Sequence, residues 1–204
     1  PGVRVLPGAV RVLAGGDGRR SVMGRRILLV RHPPVAESLR GVCYGSSDVP
    51  LAQDGRERIP EIVARVLDRG PVTHLVHSGL GRCAAVADVL AAQCGVSPML
   101  DVRLRERCFG EWELRRWDDI HAETGDAMMG TVTDPATWRP PGGETTFELR
   151  DRIVAWHADL PAEGTIVAVT HAGPIAALVG TLRSHRTCDW PGLIPATESI
   201  VALG

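Results

Sequence analysis

Apolar positions along this chain follow two alternating patterns, short unbroken aliphatic runs and longer stretches at helical spacing. Ile27-Leu28-Leu29-Val30 is the first run. With no polar residue interleaved, it predicts a strand covered on both faces, as in parallel sheets. Residues 73–77, 99–104 and 165–170 predict three more strands, and 199–203 a closing one. Between them, Ile59, Ile62, Val63, Val66 and Leu67 repeat at helical spacing up to Gly70-Pro71, a stop signal. Pro60 fits that helix only in its first turns or at a kink. Residues 83–94 predict a helix closed by Gly95. Thr145-x-x-Glu148 is a capping box opening a helix through Trp156. A further helix spans 174–182. Alternating strands and helices predict an α/β protein, a three-layer αβα sandwich around a mainly parallel sheet.

The loop over 33–50 is rich in Gly, Ser and Pro, and 112–143 is richer in Trp, Met, Asp and Pro. The second stretch is the natural insertion or lid. Residues 24–204 are expected to form one domain, because 204 residues suit one well-buried core. Residues 1–23, ahead of and including Met23, are rich in Gly, Arg and small aliphatics without a signal-peptide h-region. They are expected to be a poorly ordered extension, with a short β extension as the rival reading.

Composition narrows the partners. The formal net charge is -1, which gives no global reason to bind nucleic acid or an anionic membrane. No apolar run approaches membrane-spanning length. The five cysteines are scattered and lack CxxC spacing, so neither a disulfide framework nor a zinc site is expected, and a reducing, cytoplasmic setting is. Lysine is absent, and all 23 basic residues are arginine. Arginine suits bidentate recognition of phosphate or carboxylate, although a coding bias produces the same pattern.

Candidate chemistry gathers where strands end. Arg31 and His32 follow the first, Ser78 and then Arg82 the second, Glu106 the third, and His171 the run Val167-Ala168-Val169-Thr170. In open α/β sheets ligands bind at the carboxyl ends of strands. Guanidinium groups match phosphate oxygens, helix N-termini add N–H donors, and a neutral imidazole attacks phosphorus while a carboxylic acid protonates the leaving oxygen. Each residue also has a plain structural alternative. His32 could be a core-edge histidine, Arg82 a helix cap, Glu106 a partner of Arg103, Arg105 or Arg107, and Tyr44 a loop-packing residue. Alternation along a strand would set Glu106 opposite those arginines. His74 and His77 fall on opposite strand faces and are poor joint metal ligands. His121, His157 and His185, Trp112 and Trp117, and Cys43 and Cys108 are expected to be solvated or packing residues.

Several blocks in fixed order carry a resemblance. They are Leu29-Val30-Arg31-His32-Pro33, then Asp48-Val49-Pro50-Leu51 with Gly55, then Ser78-Gly79-Leu80-Gly81-Arg82. Leu104-Arg105-Glu106 with Gly110-Glu111-Trp112-Glu113, Pro140-Pro141-Gly142-Gly143-Glu144, and Val169-Thr170-His171-Ala172-Gly173 follow. Together they resemble the histidine phosphatase superfamily, which includes the cofactor-dependent phosphoglycerate mutases, and the likeness runs from Ile27 to about Leu203. The resemblance implies that His32 becomes a phosphohistidine and that Arg31, Arg82 and His171 surround the phosphoryl group. It implies Glu106 as general acid and then base, with Glu144 supporting the pocket. Ser38, Ser78 and Tyr44 are further phosphate or substrate contacts. No metal or other cofactor is expected; the partner is a small phosphorylated molecule, and a homodimer is left open.

The chain departs from the family at Pro33, where the motif has glycine, at Pro34, where Glu or Gln is common, and at Ser38, where Asn often holds phosphate. The wording of the 31–50 loop is similar to that of the α-ribazole phosphatase branch. The implied activity is therefore a phosphomonoesterase, with α-ribazole 5′-phosphate or another small phosphometabolite as substrate. The alternatives are phosphoglycerate mutase-type transfer, or an inactive phospholigand-binding scaffold.

Overall fold

The computed structural model describes residues 24–204; the expectation for 1–23 lies outside the described residues. The elements, in order, are β1 (Arg26–Arg31), β2 (Val42–Cys43), α1 (Gln53–Glu57), α2 (Ile59–Leu67), β3 (His74–His77), α3 (Gly81–Cys94) and β4 (Pro98–Leu100). They continue with β5 (Arg115–Arg116), α4 (Trp117–Thr124), α5 (Gly130–Thr133), α6 (Thr146–Ala158), β6 (Thr165–Thr170), α7 (Ala172–Leu182) and β7 (Ile200–Leu203). The main sheet has the order β4-β3-β6-β1-β7. Only β7 is antiparallel to its neighbour.

Both sheet faces are covered, which is why the strands read as unbroken apolar runs. Leu28, Val30, Leu75, Val167 and Val169 pack on one side with Ile62, Val63 and Val66 of α2 and Val86 and Leu90 of α3. Ile27, Leu29, Val76, Ile166 and Ala168 pack on the other with Leu149, Ile153 and Trp156 of α6 and Ile175 and Leu178 of α7. Each such aliphatic side chain contributes about 1.5–3 kcal/mol on burial. The expected αβα sandwich is the architecture found.

Helix boundaries follow local chemistry. Pro60 is the second residue of α2, and the chain turns at Arg58 between α1 and α2, so the proline starts a helix instead of breaking one. Gly95 caps α3 at φ 73°. Thr145 and Glu148 form the reciprocal capping box of α6.

One strand is shorter than expected. The apolar positions of 99–104 predict an extended segment throughout, but pairing stops at Leu100. Asp101 then accepts the Arg103 N–H at 2.9 Å and starts a 3-10 turn over Val102–Leu104. An Asp side chain bonding two residues ahead competes with the ladder. Glu106 consequently lies on a loop, and strand alternation does not set its direction.

Within 112–143, β5 pairs with β2, and α4 follows it directly, its first residue Trp117 donating its N–H to the Gly41 carbonyl at 2.9 Å. Cys43, Trp112 and Ile120 form a small separate core there, with Phe109, Trp117 and Trp138 against it. Among the described residues, no helix is long and apolar enough to cross a membrane.

Candidate active site

The central strands β3, β6 and β1 lie side by side and all point the same way. Their carboxyl ends therefore deliver Ser78, His171, and the Arg31-His32 pair to one place. β6 enters between two strands that precede it in sequence, and the crevice at such a switch in strand order is where ligands bind. The His32 N–H bonds the Thr170 carbonyl at 3.2 Å and the Ser78 N–H the Val169 carbonyl at 3.3 Å, so sheet register fixes both backbones.

His32 is buried, and its Nδ1 lies 2.6 Å from the Pro33 carbonyl. A carbonyl only accepts, so Nδ1 carries the proton and Nε2 keeps a free lone pair. The departure to proline at position 33 removes a backbone N–H but leaves intact the carbonyl that orients the ring. Burial, then the charges of Arg82 and Arg31, lower the His32 pKa from 6.5 to about 3, against the opposing Pro33 bond. The imidazole is thus neutral at neutral pH. His171 stands edge-on to it, with ring centroids 5.0 Å apart at 62°. Its Nε2 is 2.8 Å from Ser78 Oγ, and burial holds its pKa well below the ordinary value.

Arg82 sits in the first turn of α3 and is 1% exposed. Two of its nitrogens donate to the carbonyls of Ser47 and Gly45, each at 2.7 Å, and its guanidinium lies 5.3 Å from the Tyr44 ring centre. The buried Nε has no partner among the described residues. Arg31 donates to the Pro195 carbonyl, and its buried Nε is likewise without a partner. Two guanidinium groups held by neutral carbonyls keep uncompensated charge for an anion.

Glu106 rests on the N-terminus of α7. Its carboxylate accepts the Gly173 N–H at 3.1 and 3.2 Å and the Arg107 N–H at 2.8 Å. A Cβ at Gly173 would collide with Glu106 Oε1, so glycine there lets the carboxylate seat against the helix. Glu144 and Arg152 form a half-buried pair, with Arg152 Nη2 donating at 2.7 Å and Nε at 3.0 Å. Arg152 also donates to the carbonyls of Arg103, Arg105 and Glu106, while Glu144 accepts the Cys108 N–H. This pair straps down the loop that presents Glu106.

Sequence reasoning did not single out Arg152, Glu113 or Arg107. Glu113 accepts from Ser46 N at 2.9 Å, Phe109 N at 3.0 Å, Ser46 Oγ at 2.8 Å, and the Ser47 hydroxyl. Burial pushes its pKa up, but these bonds outweigh it and hold the carboxyl below its usual range. It stood in the quoted Gly-x-Trp-Glu block, which was the available signal. Arg152 had none, because its partners, three backbone carbonyls and the Glu144 carboxylate, are brought near only by folding.

A cavity of about 480 Å³ opens here, lined by Arg31, Tyr44, Glu106, Arg107 and Gly173 and walled by apolar side chains of the 117–132 and 187–194 segments. His32, Arg82, His171 and Ser78 are buried beside it. Ser38 is the exception among the expected phosphate contacts. It is exposed on the 3-10 turn Glu37–Leu39 and does not line this cavity. The turn carries it outward, so its short hydroxyl is not among the groups gathered here. Cys43 lines the cavity, but burial pushes its thiol up to about 12, as it does for Cys83 beside His171. Neither is a thiolate at neutral pH.

The sequence profile of the histidine phosphatase superfamily (branch 1) matches residues 27–203. The chain belongs to that superfamily. It is 31% identical over 160 residues to a probable phosphoglycerate mutase of Escherichia fergusonii, an alignment covering 77% of this chain and 74% of that one. The vanadate (VO3) complex of a mycobacterial glucosyl-3-phosphoglycerate phosphatase superposes with a TM-score of 0.76 at 28% identity, over 88% of this chain and 92% of that one. The α-ribazole phosphatase of Shigella flexneri also has a TM-score of 0.76 at 21% identity, over 88% and 90%. That last likeness speaks for the fold alone. This member of the superfamily thus has both phosphatases and mutase-like proteins among its relatives.

Proposed function

We propose that the protein hydrolyses a small phosphomonoester through a phosphohistidine on His32. The observation that carries this reading is the neutral, pinned His32 ring, with Nδ1 committed to the Pro33 carbonyl and Nε2 free beside two arginines. Nε2 attacks phosphorus, the bond from phosphorus to the leaving oxygen breaks, and Glu106 gives that oxygen a proton. Glu106 then takes a proton from water as the water attacks the phosphohistidine, and inorganic phosphate leaves with His32 restored. Arg31 and Arg82 stabilise the charge spread over the equatorial oxygens. Neutral His171, held through Nε2 by Ser78, stands edge-on to His32 beside the same group. The guanidinium groups supply charge neutralisation without a metal ion.

Substrate choice rests with the cavity wall, and residues 112–143 act as the lid over it. α-Ribazole 5′-phosphate and glucosyl-3-phosphoglycerate are the first compounds to try, the former on loop wording and the latter on the mycobacterial neighbour. A mutase reading follows from the 31%-identical relative. The test is phosphate release from a phosphomonoester panel in the presence of EDTA, run beside 3-phosphoglycerate isomerisation. Release undiminished by EDTA and lost in His32→Ala supports the phosphatase. Isomerisation without release selects the mutase, and abolition by EDTA overturns the metal-independent mechanism.

A further inference from the structure

The cavity beside the reacting groups is polar at one end and apolar over most of the remaining wall. Arg31, Tyr44 and Glu106 stand at the phosphoryl end, where the Arg82 guanidinium lies 5.3 Å from the Tyr44 ring centre. Beyond them the wall is built by Phe109, Trp117, Met128, Val132, Trp190 and Ile194. α7 turns Ala172 and Ala176, about one helical turn apart, to the same space. Their side chains neither fill the cavity nor offer a hydrogen bond.

Polar side chains of that wall are committed to one another. Arg107 Nη2 donates to Thr146 Oγ1 at 2.8 Å, and Thr146 Oγ1 donates to the Thr131 carbonyl at 2.6 Å. Thr131 Oγ1 in turn donates to the Met128 carbonyl at 2.8 Å, and the Trp190 indole N–H to the His185 carbonyl at 3.3 Å. Thr187 is the hydroxyl that the 117–132 and 187–194 segments leave to a ligand. A sugar or polyol enclosed here would keep hydroxyls without partners, each of which weakens binding. The rim carries the same signature. Met128 and Ile194 come from separate segments, both line the cavity, and they are 36% and 49% exposed. Large apolar side chains converging on a cavity mouth are covered when an apolar ligand fills it.

We propose that the substrates are phosphomonoesters of apolar alcohols, alkyl or aryl, whose hydrocarbon part fills this cavity while the phosphoryl group sits at Arg31, His32 and Arg82. This rests on the reading of the cavity as the substrate site, and it ranks sugar and polyol phosphates below hydrocarbon esters of equal size.

The test is calorimetric binding of n-alkylphosphonates from ethyl to octyl, which need no turnover, to the wild type and to a rim variant combining Met128→Gln and Ile194→Asn. Wild-type affinity should rise about three- to fourfold per methylene and level off once the cavity is full. The 2,3-dihydroxypropyl compound, with as many heavy atoms as the pentyl one, should bind about tenfold or more weakly than it. Inorganic phosphate should displace octylphosphonate, which ties its head to the arginines. The rim variant changes exposed positions and should lower the octyl-to-ethyl affinity ratio by about threefold or more. Affinity that does not rise with chain length overturns the proposal, as does a dihydroxypropyl compound binding as tightly as the pentyl one. So does a rise that phosphate does not displace or that the rim variant leaves unchanged, since the chain then binds elsewhere. Turnover of the matching alkyl phosphates reports on hydrolysis separately: absent turnover with the chain-length dependence intact defeats the phosphatase reading alone.

Discussion

At the scale of single residues, neutral histidines set the pH behaviour. His32 is held at about 3 in the fold against 6.5 in the open chain, and His171 shifts the same way. Between those values the unfolded chain binds protons that the folded one refuses. Stability is therefore full above pH 6.5 and falls as pH drops through that window, by up to about 1.4 kcal/mol per pH unit for each histidine. His32→Gln should flatten the fall of Tm between pH 6.5 and 4, and a slope equal to the wild type's would contradict the assignment. Glu106→Gln should slow the single-turnover phosphorylation step by about 10²–10⁴ for alkyl phosphates, and less for p-nitrophenyl phosphate, whose leaving group needs no proton. An equal loss of that step for both would remove Glu106 as the proton donor to the leaving oxygen. Gly173→Ala pushes on the flexible end of Glu106 and not on backbone, so it should cost activity with little change in Tm. Measuring both together separates a displaced carboxylate from a damaged helix.

At the scale of elements, the loop that carries Glu106 depends on a strap built from Glu144 ahead of α6 and Arg152 within it. Arg152→Met leaves three carbonyls and a carboxylate without their donor. The expected cost is about 3 kcal/mol or more of stability, read as a drop in Tm, with kcat falling further than KM rises. The same elements show what could be read beforehand. Unbroken runs such as Ile27-Leu28-Leu29-Val30 announced buried strands because both sheet faces are covered, and the Thr145–Glu148 box and Gly95 announced helix ends because each satisfies orphan backbone groups locally. The 99–104 segment misled because its apolar residues fit a strand while Asp101 diverts the backbone into a turn. Pairing of β2 with β5 left no mark either, since two-residue strands carry no period to detect.

At the scale of the whole molecule, the strand-end residues Arg31, His32, Ser78, Arg82 and His171 were legible because a parallel sheet collects its carboxyl ends at one edge. Arg107 and Arg152 were not, because each draws its meaning from partners supplied by distant loops and by α6. The wall that should choose the substrate comes from 117–132 and 187–194, segments whose composition carries no code for shape. Covalent transfer to His32 is the step on which every other role in the site depends. The most direct measurement is rapid quenching of enzyme with a phosphomonoester, digestion at alkaline pH, and mass-spectrometric location of the phosphoryl group. A transient phosphoryl group on His32, absent from His32→Ala and formed at least as fast as turnover, is the predicted result. Undiminished turnover by His32→Ala, or a phosphoryl group carried on another residue, would contradict it.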